Sequence, residues 1–143
     1  WHLSPFTIDG VLFNCAEQWM MYSKAMLFGD TYIAKEILAD PNPRNQKALG
    51  RKVSGFVSEI WEQECFAIMV KGCFQKFLQN PDLKEKLLAT DDLVLVEASP
   101  YDTIWGIGMD ETHPDATNPK KWLGLNLLGL VLMEVRLLLR EQS

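Results

Sequence analysis

The sequence predicts a single, mainly helical α+β domain, and three observations carry that prediction. Apolar residues recur at helical spacing in most of the segments that lie between turn signals. One short run, Leu93–Ala98, is instead rich in Leu and Val and bounded by turn residues, which predicts a buried strand. The length of 143 residues suits one domain, 1–143, that buries roughly two-thirds of its unfolded surface.

The segment from Asn14 to Asp30 predicts the helix around which a site is organised. At about 100° per residue, Glu17 and Lys24 share a stripe of methionine and phenylalanine, and Trp19 lies on the other side. A helix that is apolar nearly all round is usually buried, so its carboxylate and ammonium must be paired, capped or directed into a cavity. Two structural alternatives stay open. Glu17 is also a capping-box partner for an Asn14 N-cap, and the Lys24 stem is also able to cover apolar neighbours while its ammonium meets water.

Turn residues divide the rest of the chain into predicted elements. Residues 1–13, with an Asp9-Gly10 turn, read as an extended arm or edge strand. Further helices are predicted from Asp30 to Ala39, Pro43 to Gly50, Ser58 to Gln79, Pro81 to Ala89 and Asn126 to Arg140. The polar residues 109–121 predict a surface loop with the freedom to close over a ligand.

Charged and aromatic residues outside the first helix offer further site candidates. Asp102 and Trp105 follow the predicted strand, where a site is expected. Arg51 belongs to a dense basic patch whose alternative is a solvated face; its other members are Arg44, Lys47 and Lys52. In the last helix, Asn126 and Arg136 share a stripe that either faces water or lines a pocket, with Arg136 holding a phosphate.

Composition excludes several classes of function. The net charge of −5 and pI near 5.0 argue against wrapping nucleic acid, but allow a local basic pocket for a phosphorylated ligand or one exposed nucleotide. Three cysteines without a C-x-x-C pair or zinc spacing read as buried hydrophobes in a reducing, cytoplasmic compartment. The apolar run Leu123–Leu139 carries Asn126, Glu134 and Arg136, which favours a core helix over a membrane span.

No standard catalytic motif for a serine nucleophile, a phosphate loop or zinc is present in the sequence. The remaining carboxylates, lysine, aromatics and arginines suit metal-free cleavage of a glycosidic bond or simple nucleotide binding. We therefore expect no cofactor and no metal.

An ordered set of motifs covering nearly the whole chain resembles the NADAR, or YbiA-like, family. The motifs include Glu17-Gln-Trp-Met-Met-Tyr-Ser-Lys24-Ala, Leu49-Gly50-Arg51, Trp61-Glu62, Leu95-Val96-Glu97, Asp102-Thr-Ile-Trp105-Gly106, Asn126-Leu-Leu-Gly129 and Leu132-Met-Glu-Val-Arg136. The resemblance implies a YbiA-like fold and N-glycosidase activity on ribose attached to an amino group. The implied substrates are ADP-ribosylated guanine in DNA or a ribosylamino-pyrimidine intermediate of riboflavin synthesis.

Carried over by position, the resemblance implies catalytic roles for Glu17, Lys24 and Asp102. It implies substrate contacts at Trp19, Arg51, Trp105, Gly106, Asn126 and Arg136. The family usually has an aromatic-rich segment before the region matching Trp1–Phe6, so we expect that a short N-terminal segment, and with it part of the pocket, is missing from this sequence. The loop Met109–Leu123 is less glycine-rich than in riboflavin-linked members, which favours the ADP-ribose branch. We expect a monomer that acts on ADP-ribose or ribosyl phosphate. Its expected partner is ADP-ribosylated single-stranded DNA, and no membrane partner is expected.

These residues allow two chemical routes. Glu17 and Asp102 divide the acid and base roles at an oxocarbenium-like sugar, or Lys24 attacks the anomeric carbon and forms a Schiff base. Trp105 would stack on the base or adenine, and Arg51 and Arg136 would hold phosphates. The competing functions are a binding module for ADP-ribose or NAD without chemistry, and a purely structural interaction domain.

Overall fold

The computed structural model describes residues 3–142 of the chain. These residues form two compact units, the first ending at Lys84 and the second beginning at Glu85. In chain order the described elements are β1 (Phe6–Ile8), β2 (Val11–Phe13), α1 (Ala16–Leu27), α2 (Thr31–Ala39), α3 (Pro43–Gly50), α4 (Ser58–Gln79), α5 (Pro81–Leu88), a 3₁₀ turn (Pro119–Lys121) and α6 (Leu127–Glu141). The predicted fold class, mainly helical α+β with a small sheet, is confirmed.

The extended arm is an antiparallel hairpin, as its Asp9-Gly10 turn predicts. Both turn residues have positive φ, 51° and 80°, as in the two-residue turns that match the twist of paired strands. Phe6 pairs with Phe13 across the hairpin, and their buried rings stack with centroids 5.8 Å apart. The hairpin therefore presents one aromatic face to the first unit's core.

Local capping signals set the helix ends of the first unit. α1 ends in a Schellman motif, in which Gly29 has φ +74° and the Asp30 N–H donates to the Ala25 carbonyl at 2.8 Å. Asp30 then caps α2 by accepting from the Ile33 N–H at 3.1 Å. Asn42 caps α3 in the same way, so these predicted ends agree with the structure.

The beginning of α1 differs from the prediction. Cys15, not Asn14, occupies the N-cap position, and no side chain caps there. The Asn14 N–H donates to the side chain of Gln18 at 2.8 Å, so the reciprocal bond expected of Glu17 is made one residue later. Gln18 also donates to the Ile37 carbonyl at 3.0 Å, which ties the start of α1 to the end of α2. Gln18 therefore bonds both to the backbone before α1 and to the end of α2.

The predicted buried strand Leu93–Ala98 is wrong. Among residues 3–142 the structure describes strands only in the hairpin, and Leu93 and Val94 are 68% and 67% exposed. The extended backbone is held by a side chain instead, because the Asn126 amide donates to the Leu95 carbonyl at 3.0 Å and accepts from the Glu97 N–H at 2.9 Å. The composition favours a strand here, but the backbone groups of Leu95 and Glu97 bond to the Asn126 side chain rather than to a neighbouring strand.

The last helix begins against the turn that carries Asp102 and Trp105. The N–H groups of Asn126, Leu127 and Leu128 donate to carbonyls of that turn at 3.0–3.1 Å, which pairs donors that a helix start leaves open. Asn126 and Arg136 are 2% and 5% exposed, so the water-facing alternative for their stripe is wrong. No helix among the described residues combines the length and apolarity that a membrane crossing requires.

Candidate active site

The predicted site residues divide between the two units. Those of the first unit are Glu17, Trp19, Lys24 and Arg51, and those of the second are Asp102, Trp105, Gly106, Asn126 and Arg136.

Glu17 and Lys24 lie two turns apart on one face of α1. The Glu17 side chain is 1% exposed and Lys24 is half-buried. Burial lowers the pKa of the Lys24 ammonium, the Glu17 carboxylate opposes that shift, and the Arg51 guanidinium reinforces it. A lowered pKa raises the fraction of neutral amine at a given pH, and the neutral amine is the nucleophilic form.

Close packing between α1 and the end of α3 brings Arg51 near enough to Lys24 for its charge to act on the ammonium. A Cβ at Gly50 would lie 2.0 Å from the Met21 sulfur, so only glycine allows this approach without displacing Met21. Arg51 follows directly as the exposed C-cap residue of α3. Its guanidinium therefore stays open to solvent while acting on the charge of Lys24.

Phe56, in the loop between α3 and α4, contacts Lys24, although the sequence motifs did not indicate it. The Lys24 ammonium lies 4.5 Å from the centroid of the Phe56 ring, within the range of a cation–π contact. No periodic pattern marks a residue in a loop, so only the exposed aromatic side chain itself offered a signal.

Trp19 faces away from Glu17 and Lys24, on the opposite side of α1. Its indole N–H donates to the Ile68 carbonyl at 2.8 Å, and its ring occupies the space above Gly72. The ring also lines an open groove of about 540 Å³ formed by the hairpin, α1 and α4. The structure thus does not group Trp19 with Glu17 and Lys24, and its contact with substrate stays a prediction.

In the second unit, Asp102, Trp105 and Gly106 form one tight turn. The Asp102 Oδ1 accepts from the N–H groups of Ile104 at 3.0 Å and Trp105 at 2.8 Å. A Cβ at Gly106 would lie 2.9 Å from the Asp102 carbonyl oxygen, so this turn requires glycine there. One carboxylate oxygen of Asp102 therefore fixes the backbone that carries the half-buried Trp105.

The two buried polar residues of α6 have different surroundings. Both ends of the Asn126 amide bond to the backbone of residues 95 and 97, so this side chain shapes the unit. Arg136 donates to the Thr90 hydroxyl at 2.7 Å. Within the described part of the second unit, no carboxylate lies within 4 Å of the Arg136 guanidinium. A buried cation whose partner is a neutral hydroxyl is suited to receive an anion.

The three cysteines lie in the first unit and are buried free thiols. Burial raises the pKa of Cys15 and Cys65, and raises that of Cys73 to about 11. Because the thiolate is the reactive form, these side chains are poor nucleophiles. Among residues 3–142, no three His, Cys, Asp or Glu side chains cluster as a metal site would require.

Comparison with known proteins gives a consistent assignment. A family model described as the NADAR domain matches residues 1–140. The chain is 44% identical over 126 residues to Protein irg-1 of Caenorhabditis elegans, covering 87% of this chain and 59% of that protein. It is 46% identical over 121 residues to an N-glycosidase of Acanthamoeba polyphaga mimivirus, covering 85% of this chain and 71% of that protein.

The fold has a solved counterpart. The NMR structure of the E. coli protein YbiA matches with a TM-score of 0.76 at 29% identity, covering 98% of this chain and 75% of that one. This likeness confirms the predicted YbiA-like fold. With a family model that spans both units, the chain belongs to the NADAR domain family.

Proposed function

We propose that the chain is an N-glycosidase that releases ADP-ribose from ADP-ribosylated guanine in DNA. The observation that carries the proposal is the pair formed by a buried carboxylate, Glu17, and a half-buried lysine of lowered pKa, Lys24, on one face of α1. The names of relatives support the reaction class, since matched proteins from mimivirus, Nostoc punctiforme and Shigella boydii are each called N-glycosidase.

Glu17 suits the charge that develops during cleavage. Breaking the bond between the anomeric carbon and the base nitrogen places positive charge on the sugar, which a nearby carboxylate stabilises. The departing amine takes up a proton, and water supplies the oxygen that the anomeric carbon gains. Burial of Glu17 strengthens this stabilisation, because water screens the charges less there.

Lys24 offers a covalent route to the same products. Its neutral amine attacks the anomeric carbon as the base leaves with a proton, and opening of the sugar ring gives an imine. Water then hydrolyses the imine, which frees the sugar aldehyde and returns the lysine amine. The lowered pKa of Lys24 favours this route, because less energy is needed to deprotonate the amine.

The second unit's roles are proposed from the family resemblance together with its own geometry. Asp102 acts in catalysis, and Trp105 stacks on the base. Arg136 binds phosphate, because it is buried and no carboxylate in the described part of its unit lies within 4 Å of its guanidinium. Arg51, exposed beside Lys24, is a second phosphate contact. Asn126 acts through the backbone that it holds.

The decisive experiment incubates the protein with a panel and reads the products by mass. The panel contains single-stranded DNA with ADP-ribosylated guanine, a ribosylamino-pyrimidine phosphate and NAD. Release of unmodified guanine DNA and free ADP-ribose supports the proposal, and Glu17→Gln and Lys24→Ala should each reduce the rate by about a hundredfold or more. Two folded variants with wild-type rates would show that this is not the site.

Borohydride reduction during turnover separates the two routes. Trapping of a sugar adduct on Lys24, located by peptide mass, supports the imine. Full turnover without any adduct would instead favour direct attack by water with Glu17 as the stabilising carboxylate.

A second candidate function is cleavage of a ribosylamino-pyrimidine intermediate. Its support is similarity to Riboflavin biosynthesis protein PYRR of Zea mays, 35% identical over 108 residues, which are 16% of that longer protein. The same panel distinguishes the two candidates, because each predicts a different released base. Tight calorimetric binding of ADP-ribose without turnover would favour a binding module.

A further inference from the structure

We infer that Phe56 is a positioning residue, whose ring face holds the Lys24 ammonium at the place where the lysine acts. Phe56 lies outside every motif that indicated the site, and its catalytic consequence rests on the proposed N-glycosidase function. The contact itself is a property of the first unit alone.

Two aromatic rings and the lysine form one small cluster. The Lys24 Nζ lies 4.5 Å from the Phe56 centroid, and the Phe28 ring meets Phe56 edge-on with centroids 5.3 Å apart. Lys24 and Phe28 both come from the end of α1, four residues apart, so they lie on the same face. The Phe56 ring therefore contacts side chains from two successive helical turns, Lys24 and Phe28.

The loop that carries Phe56 is fixed by contacts of its own. The Asp30 Oδ2 accepts from the Ser54 N–H at 2.9 Å and from the Ser54 hydroxyl at 3.1 Å, while Oδ1 caps α2. Gly55 has φ +73°, a conformation that side chains rarely adopt, and it turns the chain toward Phe56. The ring is thus placed before any substrate arrives, as a functional group requires.

A phenyl face suits a lysine that must change its protonation state. Around Lys24, the Glu17 carboxylate of α1 favours the charged form, and the Arg51 guanidinium at the end of α3 disfavours it. The Phe56 ring attracts the ammonium through its quadrupole but has no oxygen or nitrogen to bond the neutral amine. The amine therefore keeps its lone pair available once the proton has left.

The test compares Phe56→Leu with Phe56→Tyr and Phe56→Trp in the full chain. Leucine keeps apolar contact but removes the π face that holds the ammonium in position, so kcat should fall about tenfold while KM changes little, although more of the amine is neutral. Tyrosine and tryptophan should recover most of the lost rate. Tyr32→Leu is the matched control, because Tyr32 is a 71% exposed aromatic residue of the same unit.

A second measurement needs no turnover. Acylation of Lys24 with acetic anhydride, followed by peptide mass against pH, reports the pKa of the amine. Phe56→Leu should lower that midpoint further, because the charged form loses the ring, and Phe56→Tyr should restore it. Thermal unfolding of every variant checks that the fold is retained.

The outcomes are separable. An unchanged acylation midpoint in Phe56→Leu overturns the contact, and a shifted midpoint with unchanged kcat overturns its role in the reaction. If the wild-type protein cleaves none of the panel substrates, the proposed function fails, and the acylation midpoint still decides the contact.

Discussion

Lys24 combines a charge with an environment that disfavours it. Burial and the nearby Arg51 guanidinium lower the pKa of its ammonium, and the attraction of Glu17 does not fully offset them. Holding a cation in such a place destabilises the folded state relative to an apolar side chain. Functional sites commonly carry a cost of this kind.

Replacing Lys24 by Met separates function from stability at this position. Methionine keeps the unbranched stem and removes the disfavoured charge, so the thermal midpoint should be unchanged or slightly higher. N-glycosidase activity should fall by about a hundredfold or more. A clear loss of stability in Lys24→Met, measured by calorimetry, would mean that the ammonium supports the fold.

The same residue makes a prediction about pH. Because the Lys24 pKa lies below the ordinary value of 10.5, the unfolded chain binds more protons than the folded one between the lowered pKa and 10.5. The free energy of unfolding that Lys24 contributes therefore rises with pH across that window. This contribution is lost as the pH falls through the lowered pKa. Denaturant unfolding of wild type and Lys24→Met at several alkaline pH values should show this slope only in the wild type.

At the scale of elements, small residues decide how closely the helices of the first unit approach. Gly72 of α4 lies under the Trp19 ring of α1, where a Cβ would come within 2.1 Å of the indole. The indole N–H bonds to the Ile68 carbonyl of α4, one turn before Gly72. The contact between α1 and α4 depends on this ring and this glycine together.

Gly72→Ala should therefore destabilise the protein by about 1–3 kcal/mol, although alanine is the better helix former. Chemical denaturation measures the effect. In a Trp19→Leu background the same substitution should cost less, since the ring that it displaces is gone. An equal cost in both backgrounds would contradict this packing.

Asn126 ties α6 to the extended segment before the Asp102 turn. Asn126→Asp keeps the acceptor for the Glu97 N–H but loses the donor to the Leu95 carbonyl, so it should reduce stability by about 1–3 kcal/mol. Gln63→Glu on the exposed face of α4 is the control and should change stability little. If Asn126→Asp raises KM without loss of stability, Asn126 contacts substrate instead.

At the scale of the whole molecule, cysteine thiols can be used to follow the unfolding of one unit. All three cysteines belong to the first unit and are buried, and burial raises the pKa of each thiol. The thiols therefore report on the integrity of the first unit alone.

Iodoacetamide at pH 8 should leave the three native cysteines unlabelled for hours and label all of them once denaturant unfolds the first unit. Mass spectrometry across a denaturant series measures the transition. A Tyr32→Cys variant provides an exposed thiol that labels at once. Rapid labelling of Cys73 in the absence of denaturant would contradict its burial.

Features held by residues close together in the sequence could be predicted, and features held by residues far apart in the sequence could not. The helix from Pro43 to Gly50 was predictable because Asn42 and Pro43 act on their immediate neighbours. The conformation of Leu93–Ala98, predicted as a strand, was not predictable, because the Asn126 side chain, about thirty residues away, bonds to its backbone. The Asn14 cap failed for the same reason, since Gln18 also bonds across to α2.

By itself, the sequence determined most helix ends, the hairpin turn and the family, since caps, turns and ordered motifs are local features that residue types specify. It also determined that Glu17 and Lys24 share a helix face, which follows from helical spacing alone. Only the tertiary structure decided that Trp19 packs against α4, that Arg51 and Phe56 act on the Lys24 ammonium, and that Asn126 bonds to the backbone. These are contacts between segments distant in the chain, and packing selects them through shape and charge that no local pattern records.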